Sequence, residues 1–161
     1  MKKKILVILI LFILVIIVIE RDLINKTSNV IFYLDDKYYK SNVSIEINND
    51  ELNIMINEKE SFALFIHQPG CSKSYEFNKI QSLYQTSNNV SFQKILFEDL
   101  QKTKLSKDIK YFPSFAIFNN GKLVDYLDAE SNDDILKYKD YNEFSNWFNS
   151  YVGSNNEKEK K

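Results

Sequence analysis

Cysteine and histidine are nearly absent from this chain. Among its 161 residues there is one cysteine, Cys71, and one histidine, His67. A single cysteine excludes an internal disulfide and a cysteine-rich zinc site, and a single histidine argues against a transition metal held by protein ligands. We therefore predict no metal site and no cofactor.

A clustered basic face is also missing. The formal net charge is −1, and basic and acidic residues are mixed throughout the sequence. Proteins that bind nucleic acids concentrate lysine and arginine on one face, so we expect no nucleic-acid partner. Residues 128–134 superficially resemble a calcium loop, but the sixth position is not glycine and Lys139 stands where the bidentate glutamate belongs. This stretch is predicted to be a solvated acidic loop.

One long apolar run is present near the N-terminus. Residues 5–19 carry no polar side chain, three lysines precede them, and Glu20-Arg21-Asp22 follows. A basic segment before an apolar run is a membrane-targeting signal. No alanine or glycine precedes Ala63, so the small residues of a cleavage site are lacking. We predict an uncleaved transmembrane anchor over residues 1–22, with everything after it outside the cytoplasm as a single-pass membrane protein. A cleaved signal peptide is the alternative.

The rest of the chain alternates between strand and helix patterns. Residues 23–42 form either a spacer or an extra N-terminal strand or hairpin, with a short strand at 30–34. Further strands are predicted at 43–47, 62–67, 90–97, 112–118 and 123–127, helices at 50–58, 71–84 and 141–152, and a short helix or turn at 98–107. Asn49 or Asp50 is expected to cap the first of these helices, and Gly153 to end the last. Residues 153–161 are predicted to be a disordered tail. This order predicts an α/β domain with a mixed central sheet flanked by helices.

Cys71 follows a buried strand and a Pro-Gly pair, and it opens a helix. The N–H groups and dipole at a helix N-terminus favour a thiolate. Lys73 lies in the first turn, and the hydroxyls of Ser72 and Ser74 can donate to sulfur, so each would lower the thiol pKa. The alternative is an unreactive cysteine kept as a small apolar residue. His67 is either a weak electrostatic partner or a partly exposed polar residue at a strand end.

Three landmarks in this order resemble the thioredoxin fold. A cysteine opens a helix after a buried strand, a proline opens a later strand at Phe112-Pro113, and an Asn-Gly hairpin precedes a C-terminal amphipathic helix. The resemblance covers residues 43–152 and implies a thioredoxin-like domain. It also implies a cis peptide before Pro113, lying against Cys71, with the Phe112 backbone binding an extended substrate peptide.

The active-site sequence departs from that family. The family's Cys-x-x-Cys motif is Cys71-Ser72-Lys73-Ser74 here, Gly70 replaces a frequent tryptophan, and Phe65 replaces a buried carboxylate. Residues 67–71 look closer to the bacteriocin-accessory branch of the superfamily. Cys71 and Ser74 are the expected catalytic positions, with Gly70, Ser72 and Lys73 beside the substrate. Because a serine hydroxyl cannot resolve a mixed disulfide, the chain should be a poor dithiol oxidase or reductase.

Three functions remain open on this basis. The first is a monothiol exchange or capture protein that acts on cysteine-containing exported proteins or peptides. The second is a redox-inactive peptide-binding or accessory module, in which Cys71 is dispensable. The third is a structural role, with an intermolecular disulfide through Cys71.

Overall fold

The computed structural model describes residues 31–155. The predicted anchor at residues 1–22, the first part of the predicted spacer and residues 156–161 of the predicted tail lie outside the described residues. Within residues 31–155, no helix combines the length and apolar character needed to cross a membrane.

Strands and helices alternate along the described chain, as an α/β domain requires. The strands are β1 (Ser44–Ile47), β2 (Phe62–His67), β3 (Phe92–Leu96), β4 (Ser114–Asn119) and β5 (Lys122–Asp128). The helices are α1 (Asn49–Asn57), α2 (Ser72–Asn88), α3 (Phe97–Leu100) and α4 (Tyr141–Asn149), with 3-10 turns at Asp36–Tyr39 and Lys104–Lys107.

The five strands form one mixed sheet in the order β1-β3-β2-β4-β5. The β1–β3 and β2–β3 pairs are parallel, whereas β2–β4 and β4–β5 are antiparallel. The β2–β3 pair comes from a strand–helix–strand crossover through α2, while the crossover through α1 takes the chain from β1 past the position of β3 to β2. The last pair is the Asn-Gly hairpin, in which Asn120 and Gly121 have positive φ angles of 51° and 71°. The predicted mixed central sheet is therefore confirmed.

β2 is the central strand, and its sequence explains why. Its residues from Phe62 to Ile66 are all buried, which is typical of a strand covered on both faces. On the face that carries α2, Phe77 lies in the middle of an aromatic cluster. The Phe77 ring centroid is 5.6 Å from that of Phe65, 6.0 Å from Phe115 and 5.4 Å from Phe144, all edge to face. This cluster fixes α2 against the sheet and against α4.

Several helix limits differ from the predicted ones. The N-cap of α1 is Asn48, whose side chain accepts from two backbone N–H groups while Glu51 closes a capping box, so the predicted caps at Asn49 and Asp50 are wrong. α2 runs four residues further than predicted and stops at Asn89, which has a left-handed φ of 49°. β3 is shorter than predicted at both ends: it begins at Phe92, and it stops at Leu96 because Phe97 begins α3.

The end of α4 was also predicted incorrectly. The helix stops at Asn149 with Ser150 as its C-cap, so Gly153 does not end it. Gly153 is buried instead, and a Cβ atom there would lie 2.6 Å from the Tyr33 ring. The residue is therefore needed for close packing against the N-terminal segment.

Residues 32–39 are hydrogen-bonded to residues 151–153, which follow α4, and this connection is called the clasp. No strand spans residues 31–34, because Phe32 makes only a single parallel bridge with Val152. The Phe32 N–H donates to Tyr151 O at 2.9 Å, the Gly153 N–H donates to Phe32 O at 2.8 Å, and the Tyr39 hydroxyl donates to Gly153 O at 2.9 Å. These bonds make residues 32–39 part of the packed domain.

Candidate active site

The turn between β2 and α2 places Cys71 at the N-cap position of α2. Gly70 has a φ of +77°, a left-handed conformation that glycine adopts without strain. The Cys71 N–H donates to Gln68 O at 3.2 Å, and the Cys71 carbonyl accepts the first helical bond from the Tyr75 N–H at 3.1 Å. Cys71 is the N-cap of α2, as the sequence predicts, and its side chain is partly exposed.

The net effect of this position is a lowered pKa for the Cys71 thiol. Partial burial, the largest single influence, raises that pKa. The backbone N–H and hydroxyl of Ser74, the N–H of Lys73 and the Lys73 charge together outweigh it. The sulfur makes no capping hydrogen bond of ordinary geometry, so these groups act mainly through their dipoles and charge on the thiolate.

Ser74 occupies the place of a second cysteine, one helical turn after Cys71. Its side chain is buried, and its hydroxyl oxygen accepts from the Gln68 N–H at 3.4 Å. The hydroxyl thus braces the turn before the cysteine and stabilises the thiolate, but it offers no sulfur to attack a mixed disulfide.

Lys73 and Ser72 lie on the open side of the same turn. Both side chains are exposed. The Lys73 ammonium is 2.8 Å from a carboxylate oxygen of Glu130, which lies beyond the end of β5. This ion pair connects the first turn of α2 to the segment that follows the sheet, and it raises the pKa of Lys73.

The peptide between Phe112 and Pro113 is cis, as the resemblance implies. Pro113 is buried, and the half-buried Phe112 ring packs 4.9 Å from that of Phe97. Within the described residues, the Phe112 backbone N–H and carbonyl have no hydrogen-bond partner. They remain available to another chain.

The sheet brings these two segments to the same end of the domain. In the antiparallel β2–β4 pair, Ile66 lies opposite Ser114. Cys71 comes just after the end of β2, and Pro113 just before the start of β4, so both lie at the same end of the sheet's strands. The structure therefore groups the predicted site residues from Gly70 to Ser74 with Phe112 and Pro113.

The position six residues before Cys71 is apolar. Phe65 is buried there and packs against Phe77, so this position holds an aromatic ring in place of the family's carboxylate. His67 Nε2 is 2.8 Å from a carboxylate oxygen of Glu46, and its ring stacks on Phe65 at 5.5 Å. His67 is thus paired with Glu46 of β1, which agrees with the interpretation of His67 as a partly exposed polar residue at a strand end.

Tyr138 supports this end of the sheet and was missed by the sequence analysis. Its hydroxyl is 3.0 Å from the Pro113 carbonyl oxygen and 2.6 Å from that of Leu127. Burial raises its pKa well above the usual value. The predicted solvated acidic loop covers residues 128–134, of which Ala129 is buried, and Tyr138 lies four residues beyond its end. The apolar residues Ile135 and Tyr138, three positions apart, were the signal available in the sequence.

Comparison with solved structures identifies the architecture. A mutant thioredoxin from Halobacterium salinarum is 10% identical, with a TM-score of 0.50 over 70% of this chain and 93% of that one. Spinach chloroplast thioredoxin f (long form) is 17% identical, with a TM-score of 0.47 over 68% of this chain and 94% of that one. No protein-family model matches the sequence, and a search of curated proteins gives no match. With its strand order and cis-proline, the chain has the thioredoxin-like fold.

Proposed function

We propose that this protein carries out thiol–disulfide exchange through the single thiol of Cys71, as a membrane-anchored protein acting outside the cytoplasm. The observation that carries the proposal is a partly exposed thiol with a lowered pKa at the N-terminus of α2. The apolar run at residues 5–19 supports the anchor, and the positive-inside rule supports the location. The substrates are cysteine-containing exported proteins or peptides.

The chemical step is attack of the Cys71 thiolate on a substrate disulfide. A bond forms between the Cys71 sulfur and one substrate sulfur, the substrate S–S bond breaks, and the second substrate sulfur leaves as a thiolate. The thiol of Cys71 is thereby oxidised and the leaving sulfur is reduced. Lys73 and Ser74 stabilise the attacking thiolate. The unpaired backbone groups of Phe112 can hold the substrate in an extended conformation.

The reaction stops at the mixed disulfide unless an outside thiol intervenes. Ser74 has no sulfur with which to release the substrate, and the buried Phe65 cannot serve as a base. Release therefore needs a small thiol or a second cysteine of the substrate. This restricts the protein to isomerisation or to capture.

The experiment is alkylation of Cys71 with iodoacetamide as a function of pH. We expect the rate to reach half its maximum below pH ~8.5, the ordinary value for a cysteine thiol. A midpoint at or above that value would remove the basis for the proposal. Mixed disulfides should then be recovered from the membrane fraction with the wild-type protein and not with Cys71→Ser.

A second function, a peptide-binding module without redox chemistry, is favoured by one observation. The Phe112 backbone groups are unpaired within the described residues, whatever the state of the thiol. In that case Cys71→Ser would leave the cellular phenotype intact and Pro113→Ala would impair it. The exchange proposal expects loss of the phenotype with Cys71→Ser.

A further inference from the structure

A cavity of about 440 Å³ opens directly beside the Cys71 turn. It lies between the first three turns of α2 and residues 129–139. Ser72 and Lys73 belong to its wall, so it borders the candidate active site. The apolar part of its lining, called the floor here, is made by Ile80, Ala129, the ring of Tyr138 and Ile135, which is 39% exposed.

The rim of this cavity is rich in lysine. Lys73, Lys79 and Lys139 line it, against one lining carboxylate, that of Glu76. With the carboxylate of Glu130, which pairs with Lys73, counted as well, the three lysines leave an excess of one positive charge, on Lys139. Lys139 has no ion pair among residues 31–155. The positive end of the α2 dipole adds to the same field.

Two of the three lysines are already paired, but only weakly. Lys73 pairs with Glu130 at 2.8 Å and Lys79 with Glu76 at 3.0 Å, and all four side chains are more than half exposed to solvent. Exposed ion pairs of this kind contribute little to stability. Both ammonium groups can therefore turn to a bound anion without loss of the fold.

We propose that this cavity binds the stretch of substrate polypeptide next to its captured cysteine, and that it selects an apolar residue flanked by acidic ones. The apolar side chain fills the floor at Ile135 and Tyr138, while the carboxylates meet the lysine rim. A free inorganic anion would leave the apolar floor uncovered, and a basic peptide would face three ammonium groups. This specificity rests on the proposed exchange function.

The test uses synthetic peptides whose single cysteine is activated as a mixed disulfide with thionitrobenzoate. One peptide places leucine and aspartates next to the cysteine, a second replaces the aspartates with lysines, and a third replaces the leucine with serine. Release of thionitrobenzoate reports attack by Cys71. We expect the first peptide to react about tenfold faster than the other two, the effect of a few exposed charge contacts and one buried side chain.

Matched variants locate the effect. Lys79→Glu with Lys139→Glu should abolish the preference for the acidic peptide, whereas Lys40→Glu with Lys122→Glu, exposed lysines outside the cavity lining, should keep it.

A second pair of variants tests the floor of the cavity. Ile135→Ser should remove the preference for leucine, and its neighbour Leu136→Ser, which is more exposed and outside the lining, should not. The rate of each variant with each peptide is divided by its own rate with neutral dipyridyl disulfide, so that any change in the thiol itself cancels.

A non-covalent measurement separates the two proposals. Fluorescence anisotropy with Cys71→Ala protein and serine versions of the peptides detects the cavity without exchange. Equal binding and equal reaction of the acidic and basic peptides would overturn the cavity proposal and leave exchange intact. Selective binding of the acidic peptide by a chain whose thiol reacts with no disulfide would overturn exchange, and the cavity would stand as a binding site.

Discussion

Replacing Ser74 with cysteine should convert a protein that retains its substrate into one that releases it. Residues 71 and 74 are three apart at the start of α2 and therefore lie on the same side of the helix. A thiol is only slightly larger than the hydroxyl it replaces, and it can accept the same N–H from Gln68. We expect Ser74→Cys to fold, to close a disulfide with Cys71 and to expel a bound peptide thiol.

The size of the effect follows from the position of residue 74. Even an effective concentration of ~1 M, far below the values for well-oriented intramolecular reactions, exceeds 1 mM external thiol by about 1,000-fold. Burial of Ser74 works in the other direction, because a buried thiol has a raised pKa and an upward shift of about two units costs about 100-fold in thiolate. The net acceleration is therefore at least about tenfold over 1 mM glutathione.

The assay is mass spectrometry of the mixed disulfide between Cys71 and a cysteine peptide, quenched with acid at increasing times. In the wild-type protein the adduct should persist until glutathione is added. In Ser74→Cys it should decay without added thiol. Ser72→Cys is the matched control, because a residue directly following Cys71 does not face it along a helix. Decay in Ser74→Cys no faster than in the control would refute the reasoning.

Three further predictions concern the thiol, the core and the tyrosines. Lys73→Met should move the alkylation midpoint of Cys71 to higher pH, because the Lys73 charge helps to lower the thiol pKa; an unchanged midpoint would exclude that contribution. Phe77→Ala should lower the free energy of unfolding by about 3–5 kcal/mol in urea titrations. The exposed Tyr75→Ala should change it by less than about 0.5 kcal/mol, and equal effects would contradict the aromatic cluster. Burial raises the pKa of Tyr39 to about 12, above the ~10 of an unfolded chain. The contribution of the neutral Tyr39 hydroxyl to the free energy of unfolding is complete below pH ~10 and is lost as the pH rises toward 12. The urea midpoint should therefore fall across that range, and a constant midpoint would contradict this.

The central strand and the thiol-bearing helix could be predicted because their signals are local. A continuous apolar run defines β2, and a Pro-Gly pair before Cys71 stops that strand where α2 begins. The hairpin could be predicted equally well, since asparagine and glycine tolerate the positive φ angles found at Asn120 and Gly121. The cis peptide at Pro113 came from the family resemblance, because a sequence pattern alone does not distinguish the two isomers.

The features that were missed depend on contacts between distant residues. The last turn of α2 could not be predicted because its buried residue is the polar Gln85, which does not continue the apolar periodicity. Tyr138 follows an acidic stretch, and its importance appears only when the fold brings it to the Pro113 carbonyl. The cavity beside Cys71 could not be predicted for the same reason, because β3, β4 and β5 separate its two walls in the sequence.

The clasp between residues 32 and 153 also determines where the chain enters and leaves the packed domain. Asp35, just after the clasp, donates its N–H to Ser61 O at 2.9 Å, so the entry lies beside the start of β2. Cys71 follows the opposite end of that strand, which is about 20 Å long at 3.3 Å per residue. Both chain ends of the domain therefore emerge on the side remote from the thiol. A short linker between residues 32 and 153 would therefore allow a circularly permuted domain with the same site.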